Sequence, residues 1–235
     1  MTQAFALTRN DRPFYAGMST SIVVTVFVGF ARTYYLRRYY HAEALPPLVH
    51  LHGAVFTAWI LLFATQTALV AGRRIDLHRR LGVAGAALAG LLVVLGLTTA
   101  IVSARRNVAA GHEEALTFLA IPLGDMLVFS VLTTAGILNR RRGEMHKRLM
   151  LLATISILDA AIVRWPLAIM AHGPKAFFAV TDLFIVAGVA YDLVSYRRVH
   201  QAYVWGGLLI VVSQPLRLAI AGTGAWLAFA GALVK

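Results

Sequence analysis

Apolar residues along this chain come in blocks of about 20, the length a helix needs to cross hydrocarbon. Polar residues collect in the short intervals between the blocks. The pattern predicts seven membrane spans, near 15–36, 46–71, 81–103, 115–138, 148–171, 176–196 and 203–233. The same alternation holds from end to end, with no low-complexity linker and no room for a soluble module. The expected architecture is therefore one domain over residues 1–235, an all-α polytopic transmembrane helix bundle.

Composition supports this. Hydrophobic residues make up 59% of the chain and charged residues 14%, against nearly half and a quarter in an ordinary soluble domain. The formal net charge of +12 does not point to nucleic acid, because the cations sit in the short loops, where membrane topology requires them. Their distribution is uneven. Arg9, Arg12, Arg73, Arg74, Arg79, Arg80, Arg140, Arg141, Arg142, Lys147, Arg148, Arg197 and Arg198 fall on one side of the bundle, and Arg37, Arg38, Arg105, Arg106, Lys175 and Lys235 on the other. The positive-inside rule then puts the N-terminus in the cytoplasm, and a bacterial inner membrane is the expected location. The polar N-terminal stretch lacks a compact signal-peptide plan and is expected to be retained. The absence of cysteine rules out disulfides, thiolate metal sites and iron–sulfur clusters.

The histidines form a set. His50 and His52 fall at the outer end of span two and His112 at the outer end of span four. His78 and His146 fall at the inner ends of spans three and five, and 34 residues separate His78 from His112 and His112 from His146. "DLHRRLG" and "EMHKRLM" both place acid-x-His-basic-Arg-Leu at the inner face. Interfacial anchoring is one account of such residues. Axial ligation is another, since one haem iron takes an imidazole from each face of the porphyrin and helix bundles build such sites from facing helices.

In topology and histidine placement, spans two to five resemble the transmembrane di-haem b-type cytochromes. That resemblance implies haem b, with His50 or His52 paired with His112 outside and His78 with His146 inside, and a redox partner for electrons carried across the bilayer. The "LHRRLG" stretch also looks like a prokaryotic family of membrane proteins without assigned function. His50 and His52 point about 200° apart on a helix, so only one can face a site. His50 shares its stripe with small residues and is expected to be the buried one, while His52 shares its stripe with Trp59 and Gln66.

Ionisable residues within the spans are costly in hydrocarbon and should face the bundle and find partners. They are Asp125, Asp159, Arg164, Asp182, Asp192 and Arg217, with Pro122, Pro166 and Pro215 close by. Asp192 is expected in a surface ion pair with Arg197, and the others in Asp–Arg pairs across helices. Arg164 and Arg217 are alternatively partners for haem propionates, and the aspartates proton carriers. Two other readings stay open: a small-molecule or proton-coupled transporter, and a seven-span hydrolase using zinc held by His50 or His52, His112 and His172, with a position left for water.

Overall fold

The computed structural model describes residues 11–235; Arg9 and the polar segment before it lie outside them. Among the described residues all regular structure is helical. The helices are α1 (Asp11–Tyr35), α2 (Pro47–Ala71), α3 (Ile75–Ala109), α4 (Glu114–Leu138), α5 (Gly143–Ile155), α6 (Asp159–Ile162), α7 (Pro174–Tyr196), α8 (Tyr203–Ala221) and α9 (Gly224–Leu233). Six of these, α1 to α4, α7 and α8, are long and apolar enough to cross a membrane.

Local sequence sets the boundaries. Pro47 starts α2 at its first position, where its missing N–H costs nothing. Pro174 does the same for α7, preceded by Gly173 at φ 75°, a conformation that only glycine adopts freely. Thr223 opens α9 by accepting the Trp226 backbone N–H at 3.2 Å. The third helix is longer than its apolar block, running 35 residues from Ile75, so His78 lies within its first turn.

Two expected spans are corrected. The last, 203–233, is two helices separated at Gly222 and Thr223. The fifth, 148–171, is not a continuous helix. It is α5, a break at Ser156–Leu158, α6, an irregular stretch through Pro166, and a 3₁₀ turn at Ala168–His172. This broken segment is nevertheless the core. Every residue from 151 to 159 is buried, and Leu151, Leu152, Ala153, Ile155 and Leu158 have no exposed surface. Irregular backbone at membrane depth is tolerated where protein surrounds it and its polar groups are satisfied. Here the Ser156 hydroxyl donates to the Ala153 carbonyl at 2.9 Å, and Leu158 N–H donates to the Ile155 carbonyl at 3.0 Å.

The segment runs alongside α1: Lys147 meets Asp11 at one end, and Ala161 lies against Gly29 at the other. It runs antiparallel to α7, with Arg148 on Asp192 and Asp159 on Thr181. Trp59 of α2 reaches it by donating to Thr154 at 3.3 Å. Leu61, Val94, Leu127, Leu183, Val186 and Val212 point outward and stay exposed, an apolar exterior suited to lipid.

Candidate functional site

Three polar groupings occupy this bundle. The first lies at the end where α1 and α5 begin. Asp11 accepts hydrogen bonds from Tyr191 Oη at 2.6 Å, Tyr196 Oη at 2.5 Å and Lys147 Nζ at 3.1 Å. Beside it Arg148, 1% exposed, holds Asp192, 0% exposed. Its Nε donates to both carboxylate oxygens at 3.1 Å and its Nη2 to Oδ1 at 2.5 Å. Its Nη1 donates to Glu144 Oε2 at 2.6 Å. The expectation of a surface Asp192–Arg197 pair is thus wrong. Arg197 lies at φ 56°, just past the end of α7, and the carboxylate turns inward.

His200, in the loop after α7, completes this grouping. Its backbone N–H donates to Asp192 Oδ2 at 2.9 Å, and its Nδ1 accepts from Ala202 N at 3.1 Å. Burial, and then the Arg148 charge, hold its imidazole below the ordinary histidine value. The folded-state value is below the unfolded one, so the unfolded chain binds the extra proton. The stability His200 contributes is complete above the ordinary value near pH 6.5 and is lost as pH falls below it. Melting in detergent should therefore shift downward on acidification from pH 7, and His200→Asn should flatten that dependence. An equally steep dependence in the variant would show that other groups carry it.

The second grouping contains the inner histidines. The rings of His78, on α3, and His146, on α5, have centres 6.2 Å apart and planes at 80°. His146 Nδ1 lies 2.8 Å from the Gly136 carbonyl. A carbonyl only accepts, so Nδ1 carries the hydrogen and Nε2 of the neutral ring is left with its lone pair. Among the described residues His78 Nδ1 is buried with no hydrogen-bond partner, and so is Gln66 Oε1, while Gln66 Nε2 donates to the His78 carbonyl at 3.1 Å.

The outer histidines are not brought together. His112 follows the turn at Gly111, its side chain is 62% exposed, and its Nδ1 lies 3.1 Å from Glu114 Oε1. His50 is exposed, not buried as expected, with Nε2 3.4 Å from Arg37 Nη1. His52 is the more enclosed of the two. It stacks on Phe56 at 4.1 Å and has a buried Nδ1 without a hydrogen-bond partner among the described residues. His172 is exposed as well. Among the described residues no three His, Asp or Glu side chains gather as a metal site, so the zinc arrangement of His50 or His52, His112 and His172 is not formed.

The third grouping is in the interior. Arg217 of α8 is ion-paired with Asp125 of α4, at 5% and 6% exposure. Its remaining donors go to the Ile121 carbonyl at 3.3 Å, the Ser213 carbonyl at 3.2 Å and Ser213 Oγ at 2.9 Å. Its guanidinium lies 5.3 Å from the centre of the Phe178 ring. Gly124 leaves the space the Arg217 side chain fills. Asp182 pairs with Gln214, whose Nε2 donates at 2.9 Å, and not with an arginine. Among the described residues Arg164 has no acidic partner: its Nη1 donates to the Ala160 carbonyl, and its guanidinium lies 4.9 Å from the centre of the Phe30 ring. The expected Asp–Arg pairing holds for Arg217 and fails for Arg164.

Sequence reasoning missed Arg148, Asp11 and Gln214. The one local signal was the i,i+4 spacing of Glu144 and Arg148.

Comparison with protein-family models, curated proteins and solved structures finds no match to this chain. Fold and polar interior together define the class: an all-α, polytopic integral membrane protein.

Proposed function

We propose that this protein is a b-type haem protein of a bacterial inner membrane and carries electrons with one haem held between His78 and His146. The observation that carries the reading is the 6.2 Å separation of the two ring centres. Two imidazoles this close could both bind one iron. The donor set also fits. The Gly136 carbonyl holds His146 in the tautomer that frees Nε2, the kind of bond that orients a histidine for a metal. His78 brings a buried Nδ1 that has no hydrogen-bond partner among the described residues. A haem held this way supplies reversible one-electron chemistry at iron.

Arg217 is committed to Asp125, and Arg164 lies at the far end of the bundle near Phe30, so neither serves as a propionate partner here. Arg79, exposed and adjacent to His78 in sequence, would take that place. The chain crosses seven times, counting the broken segment as the fifth crossing. The N-terminus is cytoplasmic, which puts the haem near the cytoplasmic face, within reach of a redox partner there. The outer histidines support no second haem, so the protein carries one where the di-haem cytochromes carry two.

The test is the absorption spectrum of detergent-purified protein from haem-supplied cells, oxidised and then reduced with dithionite. A Soret band that shifts, with sharp α and β bands on reduction, is expected. His78→Ala and His146→Ala should each abolish the low-spin spectrum, while His112→Ala leaves it unchanged. A wild-type protein without haem, or an intact spectrum in either ligand variant, would overturn the assignment.

A further inference from the structure

Asp159 stands at the start of α6, in the buried core, and is 3% exposed. Among the described residues no lysine, arginine or histidine forms an ion pair with it. The cation in this region is Arg217, which is bound to Asp125 and turns its other donors to Ile121 and Ser213. Asp125, Arg217 and Asp182 all lie close enough to act on Asp159 electrostatically. With Asp125 ionised and neutralised by Arg217, an ionised Asp159 is a bare negative charge in the dry centre of a membrane protein. An unpaired charge there is strongly disfavoured, and the group takes up a proton instead.

The hydrogen bonds require the same thing. The partner of Asp159 Oδ1 is the hydroxyl of Thr181, which also lies 3.0 Å from the Phe177 carbonyl, four residues back on α7. A threonine hydroxyl has one hydrogen, and the Phe177 carbonyl can only accept. One hydrogen cannot satisfy both oxygens. Both contacts are satisfied if Thr181 donates to Phe177 and accepts from a protonated Asp159.

We infer that Asp159 is a proton-binding site in the core of the bundle, neutral beside the charged Asp125–Arg217 pair and connected through Thr181. The proton comes from solvent and sits on Oδ1, and no electrons move. The other charged groups near it are Asp125 on α4, Arg217 on α8 and Asp182 on α7, the last already accepting from Gln214. This site does not depend on haem, and either assignment can fail without the other.

Infrared spectroscopy of the purified wild-type protein at neutral pH tests it. The spectrum should contain the carbonyl stretch of a protonated carboxylic acid. That band should move when the protein is made with aspartate isotope-labelled at the side-chain carboxyl. It should vanish in Asp159→Asn and remain in Asp182→Asn. Asp159→Asn should melt close to the wild type, because an amide replaces a neutral acid of the same shape. Asp125→Asn should melt well below it, because Arg217 loses its counter-charge. A wild-type spectrum without the band, a band unmoved by the aspartate label, or a band intact in Asp159→Asn would overturn the inference. The labelling experiment needs no variant to fold.

Discussion

Replacing Asp192 with Asn should destabilise the protein by about 3–5 kcal/mol, the usual effect of removing one partner from a buried ion pair. The carboxylate accepts from Arg148 at three donor–acceptor distances between 2.5 and 3.1 Å, and Asp192 has no exposed surface. Its loss leaves a guanidinium enclosed between Tyr196 and Tyr203, at 5.3 and 5.9 Å from their ring centres. Glu144, half-exposed, is then its one remaining carboxylate partner among the described residues. The double variant Arg148→Met, Asp192→Asn should recover much of the loss, since two neutral side chains need no counter-charge. Thermal melting in a mild detergent, followed by helical circular dichroism, measures both. A single variant that melts like the wild type would show that water reaches the guanidinium.

The second large effect is expected at Gly29, in the body of α1. The position a side chain would occupy there is filled by the backbone of Ala161, so even alanine displaces main chain, not a flexible side chain. Gly29→Ala should cost about 1–3 kcal/mol, as overpacking of a tight core does. Gly17, on the same helix, faces open space. Gly17→Ala should be neutral or stabilising by up to ~1 kcal/mol, the helix-propensity difference between the two residues. Equal melting temperatures for the two variants would mean that α1 and α6 do not approach as closely as described.

Block length alone makes α1 to α4, α7 and α8 legible, because a continuous lipid-facing helix must be apolar over its whole length. The fifth block is equally apolar from Leu149 to Leu158, yet it breaks at Ser156. The signal is absent because the break satisfies its polar groups within the segment while neighbouring helices bury it. Helical spacing correctly put His50 and His52 on opposite faces, but the small residues below His50 led to the wrong choice. In the structure His50 faces the surface beside Arg37, while His52 is the more enclosed and stacks on Phe56 of its own helix. Arg217 and Asp125 were both recognisable as residues in need of partners, whereas Arg148 looked like one more loop cation. Nothing near position 148 points to Asp192, which is supplied 44 residues later.

That interval sets an order of assembly. Within α5 and the segment that follows, Glu144, Lys147, Arg148, Asp159 and Arg164 fall inside about six turns. As the chain is made from its N-terminus, Asp11 is already present to receive Lys147, but Arg148 has no carboxylate beyond neighbouring Glu144 until α7 is complete. Thr181, the partner of Asp159, arrives on that same helix. The charged end and the core of the fifth segment therefore cannot close until α7 has been made and folds back against them.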